Sequence, residues 1–277
     1  MNISAKSIRE RKSKGKAIVC LTAYDHPIAR LLDEIGVDIV LVGDSLGTVL
    51  LGYDSTCSVT MREMLHHTKA VSRAVKNSLI VSDMPFGSYE SSYEKAVRNA
   101  ERLIKEGGAQ AVKLEGGVSM AKTVAAMTQR GIAVMGHVGL TPQSAQSLGG
   151  YKVQGKTPEE AARVLSDALA LDQAGCFAIV LECVPADLAK RITNKVSVPT
   201  IGIGAGPDCD GQILVTHDLL GFTNSPKPKF VRTYADLHTV MKKAVTQFKK
   251  DVIVGKYPSA KESYGAAKKV SMRPVHV

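Results

Sequence analysis

Eight short apolar runs recur along the chain, at 17–22, 37–42, 78–82, 109–114, 131–136, 176–181, 198–203 and 212–216, and most are separated by stretches with helical signals. Most are continuous, as in CysPheAlaIleValLeu (176–181), which marks parallel strands covered on both faces rather than half-exposed antiparallel ones. Eight strand and helix pairs close into a (β/α)8 TIM barrel, which takes about 250 residues as one unit. The 277 residues fit that count. The predicted class is therefore α/β, a single (β/α)8 barrel domain over 1–277, with a basic N-terminal helix at about 3–14 and a poorly ordered basic tail at about 257–277.

Helix signals fall between the runs. Three capping boxes, a hydroxyl followed three residues later by Glu, are predicted at Thr60 with Glu63, Ser91 with Glu94, and Thr157 with Glu160. Pro158 stands at the first helical position of the last. The helix after Ser91 is predicted to end at Lys105 to Gly108, where glycine permits a left-handed closing residue. Between runs seven and eight, GlyAlaGlyProAspCysAspGly leaves room for a loop but hardly for a helix, so one helix is expected to be shortened or missing. An amphipathic helix is expected near Tyr234 to Val254.

The net charge of +10 first suggests nucleic acid, but it divides unevenly. Residues 1–16 carry +5, residues 227–277 carry +9, and the intervening body carries −4. Positive charge thus sits at the ends, away from the segment that bears the chemistry, and nucleic-acid binding is set aside. No stretch approaches 18 apolar residues, and the basic amino terminus lacks a signal-type apolar run, so no membrane partner is expected. Five scattered cysteines without CxxC spacing argue against a disulfide framework and for a reducing cytoplasm.

In such a barrel, catalytic groups come from strand carboxyl ends and the loops after them. Asp44 ends run two, Asp83 run three, Lys113 and Glu115 run four, His137 run five and Glu182 run six. Lys113 and Glu115 are two apart in a strand and point to one face. A single strand-end aspartate is often only a helix cap, yet charged residues are seldom fully buried unless paired or bound to metal, and a row of them marks a site. Asp44, Asp83 and Glu115 offer only carboxylate oxygens, which suits Mg²⁺ with retained waters better than zinc. Mg²⁺ beside Lys113, His137 and a second carboxylate suits formation of an enolate from a 2-oxo acid, with Glu182, across the barrel from Asp44, as the base. His66 and His67, adjacent on a predicted helix, point apart and are read as structural. IleGlyIleGlyAlaGly (201–206) is read as a tight turn that lets substrate or a neighbouring loop approach the backbone, rather than a phosphate nest.

The chain also resembles the ketopantoate (3-methyl-2-oxobutanoate) hydroxymethyltransferases. The matching phrases are ThrAlaTyrAsp (22–25), LeuValGlyAspSerLeuGly (41–47), AspMetProPheGlySerTyr (83–89), ValLysLeuGluGlyGly (112–117), GlyHisValGlyLeuThrProGln (136–143), GlyGlyTyrLysValGlnGly (149–155), LeuGluCysValPro (181–185) and 201–206. They lie in order over about residues 17–222. The resemblance implies a phosphoenolpyruvate/pyruvate-type barrel that transfers a hydroxymethyl group from 5,10-methylenetetrahydrofolate to 3-methyl-2-oxobutanoate, giving 2-dehydropantoate for pantothenate synthesis. It implies Asp44 and Asp83 as Mg²⁺ ligands that also meet substrate, with Glu115 ligating directly or through water. Ser45 and Lys113 are implied as substrate contacts, Glu182 as proton acceptor, His137 as a hydrogen-bonding partner of the substrate oxygen, and Tyr24 as part of the pocket's closure. A cytoplasmic homo-oligomer, often a decamer, is implied as well. The alternative enzyme reading is a Mg²⁺-dependent carbon–carbon lyase of the same barrel superfamily, acting on a 2-oxo or dicarboxylic acid without folate. A non-catalytic barrel scaffold would require the charged row to be incidental.

Overall fold

A computed structural model describes residues 3–147, 149–222 and 227–265. Every predicted apolar run overlaps a strand: β1 (Ile18–Thr22), β2 (Ile39–Val42), β3 (Leu79–Asp83), β4 (Ala111–Glu115), β5 (Val134–Gly139), β6 (Ala178–Glu182), β7 (Thr200–Ile203) and β8 (Gly211–Leu214). All neighbours pair in parallel and β8 returns to β1, so the sheet closes into a barrel. The helices are α1 (Ala5–Arg9), α2 (His26–Ile35), α3 (Leu46–Val49), α4 (Met61–Ser72), α5 (Tyr93–Lys105), α6 (Ala121–Thr128), α7 (Pro158–Gln173), α8 (Ala186–Lys195), α9 (Thr216–Leu219) and α10 (Leu237–Ile253). Turns alone join β7 to β8, as the glycine-rich connection predicts.

Strand periodicity splits the core in two. Ile39 and Leu41 of β2, Leu79 and Val81 of β3, and Ala178 and Val180 of β6 belong to one buried cluster inside the barrel. Their alternates Val40, Val42, Ile80, Ile179 and Leu181 pack outward beneath the helices. Continuing the inward series two residues further along each strand reaches Asp83, Lys113, His137 and Glu182, and two more on β4 reaches Glu115. One face of each strand therefore supplies apolar filling below and charge above.

The lower end is closed by the N-terminal segment. Ile8 of α1 is fully buried in the inner cluster. Arg11 pairs with Asp38 at 2.6 Å and Lys12 with Asp210 at 2.9 Å. Expected helical over about 3–14, this segment is α-helical only over Ala5–Arg9 and continues as turns to Gly15, which places Arg11 and Lys12 against their acidic partners.

Two capping boxes form as predicted, at Thr60 with Glu63 on α4 and at Thr157 with Glu160 on α7, where Pro158 occupies the first turn. The third is corrected. Helix α5 is capped by Ser92, not Ser91, its hydroxyl accepting from Lys95 N at 3.2 Å. The helix starts one residue later than expected, so Glu94 lies in its first turn too early to close a box, and its contribution is to the helix dipole. Gly108, after α5, takes a φ of +82°, the left-handed turn expected there. Helix α10 falls inside the predicted amphipathic span but buries none of its residues. Of the basic tail, 257–265 are exposed, and 266–277 lie outside the described residues.

Asp33, near the end of α2, ties that helix to the entry of β3. Its carboxylate accepts from the backbone N–H groups of Lys76, Asn77 and Ser78 at 3.0, 2.9 and 2.8 Å, and from the Asn77 amide and the Ser78 hydroxyl. Burial alone would raise its pKa, but these donors outweigh burial and hold it below the usual carboxylate value. Such a group contributes stability above its unfolded pKa and loses it as pH falls through the lower folded value. Asp33→Asn is expected to cost about 2 kcal/mol at pH 7 and to flatten the acid limb of the stability curve, measured by urea unfolding between pH 3 and 7.

Candidate active site

The mouth of the barrel gathers all six predicted ionisable residues. Asp44 lies just beyond β2 at the turn into α3, while Asp83, Lys113, Glu115, His137 and Glu182 lie on β3 to β6. The strand register sets Asp83 beside Lys113 and Glu115 beside His137. All but Glu182 are buried. Asp44, Ser45, Asp83, Lys113, His137 and Glu182 border a cavity of about 590 Å³, a size suited to a drug-sized ligand.

Residue 43, at the second strand's end, is glycine, which leaves room for the Ser45 hydroxyl. A Cβ there would lie 2.8 Å from Ser45 Oγ and 3.6 Å from Asp83 Oδ2. The backbone N–H of Asp44 donates to Asp83 Oδ2 at 3.0 Å. Asp83 Oδ1 lies 3.0 Å from Lys113 Nζ, a buried ion pair. Asp44 is held at one oxygen only, Oδ2, by Gln143 Nε2 at 2.8 Å.

The electrostatics follow from crowding. Burial raises the Asp44 pKa well above the ordinary carboxylate value, and the charges of Asp83 and Glu115 raise it further, against Lys113 and Gln143. Asp83 is also raised, burial outweighing Lys113 and the Asp44 N–H. Burial would lower the pKa of Lys113, but Asp83, Glu115 and Asp44 together hold it above the free-lysine value. His137 shows the same contest: burial and Lys113 lower it, but the facing carboxylates Glu115 and Glu182 push it up to about 9. Its Nδ1 is 3.4 Å from Glu115 Oε1 and equally far from Lys113 Nζ, and its Nε2 is 3.2 Å from Glu182 Oε2. As an imidazolium, His137 has no lone pair for the lysine, so its contact with Lys113 is a repulsion that the carboxylates override. Nε2 lacks an aligned acceptor despite the 3.2 Å distance, which leaves Glu182 unclamped beside the cavity.

Four carboxyl groups thus face one ammonium and one imidazolium. The ionised set has two negative charges in excess, which is the physical cause of the raised aspartates and the deficit a divalent cation would fill. Among the described residues no three His, Cys, Asp or Glu side chains already converge as a metal cage. The donor chemistry nevertheless fits Mg²⁺, which takes one or two carboxylates and keeps its waters. Asp44 has one oxygen held and one open, whereas Asp83 has Oδ2 held by the Asp44 N–H and Oδ1 paired with Lys113. Glu115 has both engaged, Oε2 accepting from Gln143 N at 3.0 Å and Oε1 facing His137.

Other predicted residues fall around this centre. Ser45 lines the cavity, and its Oγ lies 2.8 Å from the hydroxyl of Tyr24. Tyr24 is buried behind Ser45 rather than facing the cavity, so it fixes the serine instead of closing the pocket. His67 Nδ1 lies 2.7 Å from Tyr24 O, a structural contact. Gly204, with φ +64°, lets the Phe230 ring lie against the backbone, where a Cβ would come within 2.7 Å of it. The turn reading of 201–206 holds, and its neighbour is Phe230.

Sequence reasoning missed Gln143, Tyr89 and Cys183. Gln143 and Tyr89 carry no charge, so a search for ionisable strand ends passes over them, although both lie in phrases noted above. The only available signal was ThrProGln after run five, a proline-started turn. Cys183, directly after Glu182, takes φ +48°, a conformation that costs a non-glycine residue of order 1 kcal/mol or more and gathers at functional sites.

Known proteins are similar in both sequence and fold. The family model for ketopantoate hydroxymethyltransferase matches residues 2–260. A 3-methyl-2-oxobutanoate hydroxymethyltransferase of Thermoanaerobacter sp. (strain X514) is 55% identical over 267 residues, 96% of this chain and 97% of its own. That of Carboxydothermus hydrogenoformans is 54% identical, with 98% of each chain covered. Among solved structures, 2,3-dimethylmalate lyase, a PEP mutase/isocitrate lyase superfamily member, has a TM-score of 0.61 at 17% identity, covering 98% of this chain and 93% of that one. Phosphonopyruvate hydrolase in complex with oxalate and Mg²⁺ gives 0.61 at 14%, covering 94% and 93%. These two share the barrel fold.

The His137 shift makes a test. A histidine with a folded pKa above its unfolded value contributes stability in full below about 6.5 and loses it as pH rises through about 9. Metal-free protein is expected to lose up to roughly 3 kcal/mol across that window, measured by chemical unfolding at a series of pH values. His137→Gln should show a shallower decline. Parallel curves for the two proteins would refute the assignment.

Proposed function

Because the chain belongs to the ketopantoate hydroxymethyltransferase family, we propose that it transfers a hydroxymethyl group from 5,10-methylenetetrahydrofolate to 3-methyl-2-oxobutanoate, giving 2-dehydropantoate for pantothenate synthesis. The observation that carries this reading is the buried charge set at the barrel mouth, with one unclamped carboxylate, Glu182, facing the cavity.

Asp44 would hold Mg²⁺ through its open oxygen and Asp83 through the oxygen now paired with Lys113, and Glu115 would reach it directly or through water. When bound, Mg²⁺ would supply positive charge beside the keto oxygen as electron density builds there. The protein's own groups do the rest. Lys113 and Ser45 bind the carboxylate and keto oxygens of the acid and fix its orientation. The His137 imidazolium donates a hydrogen bond to a substrate oxygen. Glu182 accepts the proton from C3 of the 2-oxo acid, and its side chain, 15% exposed against 3% for the side chains of Asp83 and Glu115, is the carboxylate with room to meet substrate. Water releases the donor's one-carbon unit as formaldehyde, its two C–N bonds breaking as tetrahydrofolate departs, and the C3 electron pair then adds to the formaldehyde carbon while the proton held by Glu182 passes to the new hydroxyl oxygen.

We place the enzyme in the cytoplasm, on the strength of five free cysteines and no helix among the described residues long and apolar enough to cross a membrane. Its partners are the two small-molecule substrates and further copies of itself. Met241, Val245, Phe248 and Val252 run along one face of α10 at helical spacing, all exposed, and such a stripe supports a homo-oligomer, with a decamer as the form the family resemblance implies. Val245→Asp with Phe248→Asp is expected to yield smaller particles by light scattering.

The main test is deuterium exchange at C3 of 3-methyl-2-oxobutanoate, followed by NMR with Mg²⁺ and no folate. Asp44→Ala and Asp83→Ala should lower exchange by about a hundredfold or more and weaken Mg²⁺ binding in calorimetry. Glu182→Gln should retain Mg²⁺ binding and slow exchange by roughly 10²- to 10⁴-fold. Wild-type exchange in Glu182→Gln would remove it as the base, and turnover independent of the folate donor would remove the transferase reading.

A further inference from the structure

Gln143 sits on the short 3-10 turn Pro142–Ser144 after β5, far in sequence from the residues it holds. It is buried, and every polar atom it has is engaged. Nε2 donates to Asp44 Oδ2 at 2.8 Å and to Met84 O at 3.0 Å, while Oε1 accepts from the Tyr89 hydroxyl at 2.6 Å. Its backbone N–H donates to Glu115 Oε2 at 3.0 Å, and its carbonyl lies 3.1 Å from Cys57 Sγ. The amide orientation is fixed by chemistry. Two acceptors, a carboxylate and a carbonyl, face one end, so that end must be the NH₂, and the tyrosine can then only donate to the other.

We propose that Gln143 is the positioning residue of the mouth, holding Asp44 by one oxygen so that the other is presented to the cation that the Proposed function reading places there. The inference rests on that reading and deepens it. Residue type supports it. Glutamate has no donor for Asp44, methionine or leucine no polar atoms, and lysine could not accept from Tyr89 while adding a second ammonium near Lys113. Asparagine is one carbon too short to reach Asp44 from the same backbone. Tyr89 belongs to the same device: its hydroxyl donates to Gln143 Oε1 and accepts from Glu115 N at 3.3 Å, so without it Oε1 loses its donor and the amide is held at its NH₂ end only. Groups that orient metal ligands without touching the metal typically govern affinity more than the chemical step.

The test uses the full-length protein, with MgCl₂ as the probe, in titration calorimetry without substrate. Gln143→Met, close in volume, is expected to weaken Mg²⁺ binding by roughly ten- to a hundredfold. Saturating MgCl₂ should restore C3 exchange to within several-fold of wild type, because the defect lies in holding the cation. Tyr89→Phe should show a smaller loss of the same kind. The double variant should be no weaker than Gln143→Met alone, since both act through one amide. Thermal melts of the metal-free variants separate folding from positioning, and Tyr89→Phe keeps the test alive if Gln143→Met fails to fold. Unchanged Mg²⁺ affinity in Gln143→Met, or additive effects in the double variant, would overturn the inference. A wild-type protein that binds no Mg²⁺ would instead overturn the reading beneath it.

Discussion

The structure depends on keeping three carboxyl groups, Asp44, Asp83 and Glu115, out of water at one end of a barrel, with a fourth, Glu182, at the cavity edge. Burying a charge without compensation costs several kcal/mol, and groups so placed shift their pKa or find partners. Both responses are visible. Lys113 and His137 are held in their cationic forms by the acids around them, and Asp44 responds by favouring its proton. An excess of negative charge remains, which a bound cation would offset.

The barrel makes the arrangement possible through strand alternation. The inward side chains of β2, β3 and β6 are aliphatic for two layers, and the next inward positions are charged or adjoin a charged turn. The packed lower layers, with Ile8 beneath them, form a rigid base. Displacing any one strand by a single residue would carry its charged group to the helix-facing side, so pairing register and site geometry are one constraint.

That coupling explains what could be read from the sequence. Continuous apolar runs fixed the positions of strands because buried parallel strands have little else to show, and carboxylates at their ends were legible because charge next to such runs is rare. Helix α5 was displaced by one residue because Ser91 and Ser92 offer equal capping chemistry, and the choice between them follows from how Ala96, Ala100 and Leu103 pack. Gln143 was illegible for a different reason. It is a neutral side chain on a short turn, meeting Asp44 across ninety-nine positions of sequence, and only the closed barrel brings the two together.

Glu115 and Glu182 meet the same histidine from either side in different surroundings. Glu115 is buried with both oxygens engaged, one by Gln143 and the other by His137, so its charge is fixed in place. Glu182 faces the same histidine from the next strand but lies at the cavity edge, without an aligned donor on His137, and is followed by a residue in left-handed backbone geometry. The asymmetry follows from position: Glu115 lies under the turn that carries Gln143, and Glu182 lies beyond its reach. Gln143 anchors Glu115 through its backbone N–H and makes no hydrogen bond to Glu182.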